Sequence, residues 1–430
     1  MTERPHVVIV GGGFGGLEAA KRLSRLPLRV TLVDRANHHV FQPLLYQVAT
    51  AALSPGDISK PIRSVLRRRR NVSVLLGEVA RVDLPARTVH LVDGAAFAWD
   101  YLVLAPGSRH SYFAHPEWEV RAPGLKTLED ALEIRRRVLL AFERAERAET
   151  SDERRRHLTL VVVGGGPTGV ELVGALAEIK RYVLRRDFRR IDPREATVML
   201  LEGGPRILPT YPVVLSERAE EALRRLGVEV RVETLVGAIE PGAVVAGALR
   251  IPADTVIWAA GNVTSPLLRS LHVALDRQGR VEVEPDCSVP GHRDVFVVGD
   301  GAAFRHDRRY PSLPGIAPVA MQQGRYVARA IGDDLRARPR RPFRYADKGQ
   351  LAVIGRGQAV ADLGRIRMSG FVAWFIWIFL HIYYLIGFAN RVLVLFQWAW
   401  SYVTFERGAR LITSAWRPQA PAEPSRNPAP

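Results

Sequence analysis

Two glycine-rich segments of the chain have the residue spacing that binds a dinucleotide. They are Gly11-x-Gly13-x-x-Gly16 and Gly164-x-Gly166-x-x-Gly169. In this pattern the first glycine permits a tight turn, the second lets the backbone approach a pyrophosphate, and the third lets a helix pack closely on a strand. The free N–H groups and the dipole of that helix attract the phosphates. Each segment therefore predicts one dinucleotide site.

An acidic residue follows each glycine segment, at the end of the next predicted strand. Asp34 stands there in the first unit and Glu202 in the second. A carboxylate at this point accepts hydrogen bonds from ribose hydroxyls and repels a 2′-phosphate. Glu202 therefore predicts NADH rather than NADPH at the second site, a preference that the nearby Arg206 would weaken.

A third acidic residue, Asp300, ends a further predicted strand over residues 294–298. On its own this pattern also fits a strand followed by a turn. Beside two dinucleotide motifs it predicts a carboxylate that accepts hydrogen bonds from the ribityl chain of a flavin. The economical pairing is one resident, non-covalent FAD at the first site and one NADH that binds and leaves at the second.

The elements that must position these residues are two βαβ units. Short β-branched runs at 6–10 and 29–33 flank the first motif and its helix, and runs at 158–163 and 197–201 flank the second. A repeat of about 150 residues is too long for a solenoid. The predicted fold class is α/β, with two Rossmann-like dinucleotide-binding domains and a C-terminal helical membrane anchor.

The chain is predicted to divide into two dinucleotide-binding domains, an anchoring region and a tail. Residues 1–125 and 271–345 form the two parts of the FAD-binding domain, 126–270 the NADH-binding domain, 346–416 a C-terminal anchoring region, and 417–430 a tail. The tail is proline-rich and is expected to be disordered.

The composition excludes several classes of protein. The 430 residues carry a net charge of +17 with only five lysines, so arginine supplies most of the charge and predicts an anionic partner. The arginine clusters at 135–137 and 154–156 are expected on solvated helix faces. A single cysteine, Cys287, excludes an internal disulfide and a dithiol relay. The polar N-terminus predicts no signal peptide, which favours the cytoplasmic side.

Residues 371–405 differ from the rest of the chain. They hold 13 of its 34 aromatic residues, and Arg391 is their only formal charge. As a helix, residues 371–389 would span about 28 Å, just short of a hydrocarbon core, and residues 392–405 are too short to span. Trp and Tyr occur throughout and arginines flank the segment, which favours an in-plane, monotopic anchor on anionic lipid. Nucleic acid is the weaker explanation of the charge, because no binding motif accompanies it.

Two further segments make the pattern more specific. Residues 37–47 (Asn-His-His-Val-Phe-Gln-Pro-Leu-Leu-Tyr-Gln) and 317–324 (Ala-Pro-Val-Ala-Met-Gln-Gln-Gly) resemble those of the type II NADH dehydrogenases, the single-subunit NADH:quinone oxidoreductases. Segments 255–261 and 297–300 also match, and the resemblance runs over residues 7–413. It implies a glutathione-reductase-like arrangement of the two domains. One departure is Ala105-Pro106-Gly107, where the family mostly has Ala-Thr-Gly, and the proline removes a backbone N–H and a hydroxyl at this position.

The resemblance implies an activity, a place in the cell and a set of site residues. NADH reduces FAD, and two electrons then pass to a membrane quinone at the cytoplasmic face of the cell membrane, without proton pumping. FAD is expected at Gly11, Gly13, Phe14, Gly15, Gly16, Asp34, Arg35, Gln42, Asp300 and Ala320, and NADH at Gly164, Gly166, Gly169, Glu202 and Gly261. Catalytic roles are expected for Glu171, Gln322, Gln323 and Tyr46.

Those four residues have different expected roles. Glu171 is expected near the nicotinamide–flavin contact, with a dipole-stabilising acid at a helix start as its equal alternative. Gln322 and Gln323 offer amide donors for a quinone carbonyl, and Tyr46 offers a hydroxyl. A predicted helix over residues 318–330 would direct its positive N-terminal end at the charge of reduced flavin.

Other functions stay open at this point. A soluble FAD-dependent reductase that passes electrons to a ferredoxin-like protein is the main alternative, and it does not need an apolar tail. A non-catalytic flavoprotein that senses NADH or the membrane is another. No metal site is predicted, because His38 and His39 have no further ligands at suitable spacing. His39 is expected at the flavin edge, His381 is expected to be buried and hydrogen-bonded rather than in a quinone channel, and a homodimer is a further predicted partner.

Overall fold

The computed structural model describes residues 4–184, 187–385, 388–404 and 409–412. The α-helices of this described part are, in chain order, α1 Phe14–Leu23, α2 Leu45–Ala49, α3 Pro55–Ile58, α4 Ile62–Leu66, α5 Trp118–Arg121, α6 Leu128–Arg147, α7 Ser151–His157, α8 Pro167–Glu178, α9 Val213–Arg225, α10 Ala317–Asp334, α11 Phe371–Tyr384 and α12 Phe388–Thr404.

The β-strands of the described part are short and numerous. In chain order they are β1 His6–Val10, β2 Arg29–Asp34, β3 His38–Val40, β4 Ser59–Pro61, β5 Val72–Leu76, β6 Val79–Asp83, β7 Thr88–Leu91, β8 Ala96–Ala98, β9 Tyr101–Leu104, β10 Ser108–His110, β11 Thr159–Val163, β12 Thr197–Leu201, β13 Val228–Arg231, β14 Ala238–Glu240, β15 Ala243–Ala246, β16 Leu249–Pro252, β17 Thr255–Trp258, β18 Asn262–Thr264, β19 Val281–Glu282, β20 Ser288–Val289, β21 His292–Val297, β22 Ala302–Ala303, β23 Gln350–Gly355, β24 Gln358–Asp362 and β25 Arg367–Gly370.

Two mainly parallel sheets form the centre of the molecule. The first has the strand order β20-β21-β9-β1-β2-β5, and the second has the order β13-β12-β11-β17. Every residue of β1 and β11 is buried, as expected for central parallel strands covered on both faces. The α/β fold with two dinucleotide-binding units, predicted from the two glycine motifs, is therefore confirmed.

Each sheet has the same arrangement around its glycine segment. β1 lies between β2 and β9, and β11 lies between β12 and β17, all parallel. From the carboxyl end of each central strand the chain continues to a neighbouring strand on one side, and a later segment of the chain adds the neighbouring strand on the other side. Such a switch point opens a crevice at the carboxyl ends of the strands, where ligands of α/β sheets bind.

Helix α10 is packed against α1, beside the first glycine segment. The two helices approach so closely that a β-carbon on Gly324 would lie 2.1 Å from the carbonyl oxygen of Gly15. The helix predicted over residues 318–330 is present and is longer, Ala317–Asp334. This packing brings the N-terminal half of α10 to the first glycine segment.

The arginine clusters at 135–137 and 154–156 lie in a helical segment between β10 and β11. It is two helices, α6 and α7, because the backbone is extended at Ala148. Arg135 is not on a solvated face: it is 5% exposed, and its guanidinium donates to the carbonyl oxygen of Ala409 at 3.0 Å. Arg136 and Arg137 both pair with Glu133 on the same helix.

The C-terminal part consists of a small sheet and two aromatic helices. Strands β23, β24 and β25 form an antiparallel sheet that packs on α8 and α9. The first apolar helix ends at Tyr384 rather than continuing to residue 389, so α11 has 14 residues and is about 21 Å long. Within the described ranges, no helix combines the length and the apolar character needed to cross a bilayer.

One side of α11 and α12 exposes large apolar side chains. Phe375 and Phe379 are 61% and 65% exposed, and Phe396 on α12 is 66% exposed. The opposite side is buried, since Ala373, Trp377 and Val394 all belong to the same apolar core as helix α8. The two helices therefore expose apolar side chains on their outer side, while their inner side packs into the core of the protein.

Candidate functional site

The first glycine segment has the shape of a phosphate cradle. Gly11 has a φ of +99°, and a β-carbon there would lie 2.2 Å from the carbonyl oxygen of Ala105. A β-carbon on Gly16 would lie 1.9 Å from the carbonyl oxygen of Gly11, so both positions require glycine. A β-carbon on Gly13, in contrast, would stand in open space, with no heavy atom of the described residues within 4 Å of it. The backbone at Gly13 is thus free to face a pyrophosphate.

Asp34 is held at the edge of this cradle by two backbone donors. Its carboxylate accepts from the N–H of Gly12 at 2.5 Å and from the N–H of Ala36 at 2.7 Å. The neighbouring Arg35 is exposed, and Phe14 contacts the ring of His39 edge-on at 5.0 Å. The carboxylate therefore has a fixed orientation and retains acceptor capacity for ribose hydroxyls.

The second glycine segment has the same backbone geometry and the same close contacts as the first. Gly164 has a φ of +109°, a β-carbon on Gly169 would lie 1.9 Å from the carbonyl oxygen of Gly164, and Gly166 faces open space. Glu202 accepts from the N–H of Gly165 at 2.6 Å and from the N–H of Gly204 at 2.7 Å. Both sequence motifs thus form matching dinucleotide cradles.

Arg206 does not face the second cradle as a free cation. Its guanidinium donates to the carbonyl oxygens of Leu208, Pro209 and Tyr211 at 2.7–3.3 Å. A guanidinium committed to three backbone carbonyls is a poor partner for a 2′-phosphate. The weakening of the NADH preference that its sequence position suggested therefore has no support in this arrangement.

Asp300 lies beside the N-terminal end of α10. Gly299 has a φ of +68°, and its N–H donates to Oε1 of Gln323 at 2.7 Å. Ala320 lies close by, with its carbonyl oxygen 3.3 Å from a β-carbon position on Gly15. One end of α10 thus connects the Asp300 loop with the first glycine segment.

Two buried polar atoms in this region have no hydrogen-bond partner in the described part of the protein. Gln323 is fully buried, and its Nε2 donor is unsatisfied. His39 directs Nδ1 at the carbonyl oxygen of Gly12, which can only accept, so Nε2 is an unsatisfied acceptor. Burial lowers the pKa of His39 to about 4, so the ring is neutral. An open cradle and two unsatisfied buried groups fit a bound FAD.

A chain of hydrogen bonds connects the C-terminal helices to Tyr46. The indole N–H of Trp398 donates to Oε1 of Gln47 at 2.7 Å, and Nε2 of Gln47 donates to the Tyr46 hydroxyl at 2.9 Å. Tyr46 and Gln47 are both buried on α2. Helix α12 therefore helps to fix the hydroxyl that the sequence predicted as a quinone contact.

Glu171 lies where α8 meets the C-terminal sheet. The N–H of Val353 points at its Oε1 at 3.3 Å, and Trp377 of α11 is near its carboxyl group. Burial raises the pKa of Glu171 to about 8, and these two neighbours only partly oppose the shift. The carboxyl group therefore carries a proton at neutral pH.

The remaining predicted contacts have varied surroundings. Both amide atoms of Gln322 are paired with the backbone of Ala346, at 2.9 and 3.0 Å, so Gln322 holds a loop in this structure. Gln42 is exposed, and its amide reaches the carbonyl oxygen of Lys126 at 3.5 Å. Gly261 has a φ of +70° and lies against Phe113. The structure brings Gln323, rather than Gln322, to the Asp300 loop.

A cavity of about 280 Å³ opens beside the first cradle. Its lining combines apolar, aromatic and charged side chains from α1, α10 and the C-terminal helices, among them Phe14, His39, Met321, Tyr383 and Arg391. The cavity therefore joins the flavin side of the molecule to the apolar helices.

His381 is stacked on Trp377 with ring centroids 4.1 Å apart, and its Nδ1 is 2.7 Å from the Trp377 carbonyl oxygen. Burial lowers the pKa of His381 to about 4. Sequence reasoning missed Gln47, although it ends the segment quoted for the resemblance, and it also missed Trp377 and Trp398. The apolar character of the C-terminal helices concealed the hydrogen bond that the Trp398 indole directs inward and the position of Trp377 beside Glu171.

Two Rossmann-type sheets, each with a glycine cradle and an acidic partner, define a flavin-dependent pyridine nucleotide oxidoreductase. The family model for pyridine nucleotide-disulphide oxidoreductases matches residues 5–324. Two relatives from Mycobacterium tuberculosis, the type II NADH:quinone oxidoreductases Ndh and NdhA, are each 44% identical over 95–96% of this chain and 90% of their own length. The chain belongs to the pyridine nucleotide-disulphide oxidoreductase family and, within it, to the type II NADH:quinone oxidoreductases.

Solved structures agree on the fold. NDH2 from Plasmodium falciparum in complex with NADH superimposes with a TM-score of 0.87 at 19% identity, over 96% of this chain and all of that one. The sulfide:quinone oxidoreductase from Aquifex aeolicus gives a TM-score of 0.71 over 94% of this chain. These structures share the fold, and the relatives at 44% identity confirm the family predicted from the residue motifs.

Proposed function

We propose that this protein oxidises NADH and passes two electrons through FAD to a membrane quinone. The pair of matching cradles carries the proposal, because it provides one site for a resident flavin and one for an exchanging reductant. The soluble ferredoxin-type reductase is not favoured, since the relatives at 44% identity are type II NADH:quinone oxidoreductases.

Bound FAD supplies the redox chemistry, taking a hydride from NADH and returning two electrons to a quinone. The protein positions both partners. The glycine cradles and their carboxylates hold the two dinucleotides, and Gln323 offers an unsatisfied amide donor beside the Asp300 loop. The positive end of α10 favours negative charge at its N-terminus.

Protons for quinone reduction come from the protein side of the site in this proposal. Glu171 is half-buried next to Trp377 and holds one proton at neutral pH. Tyr46 presents a hydroxyl that Gln47 and Trp398 keep in place. We assign proton delivery to Glu171 and quinone binding to Tyr46 and Gln323, with Gln322 acting through the loop that it pairs with.

Helices α11 and α12 form the proposed membrane contact at the cytoplasmic face. The exposed side chains of Phe375, Phe379 and Phe396 support an in-plane anchor. The net charge of +17 adds attraction to anionic lipid. The same surface adjoins the cavity beside the first cradle, so an apolar quinone would reach that cavity from the lipid.

The domain division and the oligomeric state are further proposals. The first sheet uses strands from residues 6–104 and 288–297, and the second uses residues 159–258, which supports the predicted boundaries. We also keep the homodimer as a proposal, which sedimentation of the purified protein would test.

A spectroscopic experiment tests the proposed function. The purified protein should be yellow, NADH should bleach its flavin absorbance, and a quinone added without oxygen should restore it. A protein that is bleached by NADH but recovers only with a ferredoxin would support the rejected alternative. A protein that stays colourless when given FAD would overturn the proposal.

A further inference from the structure

A lysine near the start of α6 is tied to the Asp300 loop. Nζ of Lys126 donates to the Ser108 hydroxyl oxygen at 2.9 Å, and the Ser108 hydroxyl in turn donates to Oδ2 of Asp300 at 2.5 Å. These three residues come from the segment just before α6, from β10 and from the loop after β21, which are far apart in the chain. Their meeting point is the place where the flavin ribityl chain is proposed to bind.

The ammonium group of Lys126 has unused hydrogen-bonding capacity. It carries three donors, and its hydrogen bond within the described residues is the one to Ser108. The nearby Asp130 accepts from the backbone N–H groups of Lys126 and Thr127 instead. Burial lowers the pKa of Lys126, and the Asp300 carboxylate opposes this shift. A partly buried cation with free donors therefore adjoins the flavin cradle.

The Asp300 carboxylate alone would make this site unfavourable for an electron-rich flavin. Reduction adds negative charge to the ring system, and a nearby carboxylate repels it in a weakly screened environment. The Lys126 charge offsets that of Asp300 without blocking its second oxygen, because the link runs through Ser108 and occupies Oδ2.

We propose that Lys126 is a positioning residue that sets the reduction potential of the flavin. Its ammonium, held by Ser108, neutralises Asp300 and leaves Oδ1 free to accept from the ribityl chain. This inference rests on the binding of FAD proposed above, and it concerns the charge balance of that site rather than the identity of the electron acceptor.

The test is the midpoint potential of the flavin in the purified, FAD-loaded full-length protein, measured without NADH or quinone. Lys126→Met should lower the potential by about 30 mV or more, which corresponds to at least a tenfold change in the reduction equilibrium. Lys126→Arg should keep a near wild-type value. Lys180→Met is the matched control: Lys180 is also partly buried, bonds to the Ala196 carbonyl oxygen and lies beside β12 and β13 of the second sheet.

The outcomes separate clearly. An unchanged potential in Lys126→Met, or an equal fall in Lys126→Arg, overturns the inference. If Lys126→Met does not retain FAD, Ser108→Ala serves instead, because it breaks the link and keeps the charge; it should lower the potential by a smaller amount, and no change there overturns the inference. The bleaching experiment on the wild-type protein tests the proposed function separately, because the comparison of midpoint potentials between variants uses neither NADH nor quinone.

Discussion

The indole nitrogen of Trp398 lies 2.7 Å from Oε1 of Gln47, which joins an apolar C-terminal helix to a buried amide of the flavin-side domain. The amide nitrogen of Gln47 donates to the Tyr46 hydroxyl, so the hydrogen bond from the indole to the amide oxygen fixes the orientation of the amide group. Helix α12 therefore fixes a polar group inside the molecule, in addition to its proposed role at the membrane.

Replacing Trp398 with Phe should disturb this chain. Losing one hydrogen bond and leaving Gln47 unsatisfied costs about 1–3 kcal/mol, and part of this loss should appear as a rise of about fivefold in the quinone KM. Bleaching by NADH should stay at the wild-type rate. Phe396→Leu, at an exposed aromatic position two residues earlier, is the control; an equal rise in KM there would argue against a role for the indole.

The protonation of Glu171 predicts a pH effect on activity. With a pKa near 8, the acid is protonated at pH 7 and loses its proton at higher pH. Glu171→Gln should remove the inflection near pH 8 from the pH–rate profile and slow quinone reduction about 100-fold. Glu178→Gln, on the same helix and also bonded to a backbone N–H of the C-terminal sheet, should keep the wild-type profile.

The same residue predicts the pH dependence of stability. The folded chain keeps the Glu171 proton up to about pH 8, whereas the unfolded chain releases it near its ordinary value of 4.5. The unfolded state thus binds fewer protons between these values, and the free energy of unfolding falls as pH rises from 4.5 to 8. Glu171→Gln should flatten this part of the curve in denaturant titrations; a slope identical to that of the wild type would contradict the assignment.

The same substitution in each of the two cradles should affect a different nucleotide. Gly13→Ala should fold and lose FAD, because a methyl group there fills the open space of the first cradle. Gly166→Ala, its counterpart in the second cradle, should retain FAD and weaken NADH binding. FAD content and NADH titration of both variants decide the matter, and a loss of FAD in Gly166→Ala would show that the assignment of the cradles is wrong.

Nucleotide preference should depend on Glu202. Its carboxylate accepts two short backbone hydrogen bonds and faces the second cradle. Glu202→Gln should reduce the ratio of kcat/KM for NADH over NADPH about tenfold, since a hydrogen bond to a charged group contributes about 1.5–3 kcal/mol. The exposed Glu221→Gln on α9 provides the comparison. A ratio that stays constant in Glu202→Gln would exclude this carboxylate as the determinant.

Membrane attachment should depend on the exposed phenyl rings. Each buried Phe contributes about 1.5–3 kcal/mol to lipid partitioning, so Phe375→Ser with Phe379→Ser should lower binding to anionic vesicles about 100-fold or more. Val92→Ser removes a similarly exposed apolar side chain from the turn between β7 and β8, outside the two C-terminal helices, and should have no effect. Unchanged flotation of the double variant with vesicles would defeat the anchor proposal.

The sequence allowed the cradles to be predicted because their constraint is local. Gly11 and Gly16 belong to the same short glycine segment, and the clash that excludes a side chain at Gly16 is with the carbonyl oxygen of Gly11. The acid at Asp34 follows at a spacing that one helix fixes. Such features depend on few residues and on backbone geometry alone.

The contacts between distant segments could not be predicted in this way. Arg135 is within an arginine cluster, yet the carbonyl oxygen of Ala409, over 270 residues later, draws it into the interior. The pairing of Gln322 with Ala346, and of Trp398 with Gln47, likewise depends on packing that no local pattern encodes. The helix break after Tyr384 falls inside an apolar run that has no proline to mark it.

The strand order of the first sheet has a consequence for biosynthesis. β21 lies between β9 and β20, but it is translated about 190 residues after β9, once the whole of the second sheet has been made. The ribosome therefore releases a complete NADH-side sheet while the flavin-side sheet still exposes an unpaired edge at β9. Nascent chains stalled before residue 288 should aggregate or recruit chaperones more than chains stalled after residue 334.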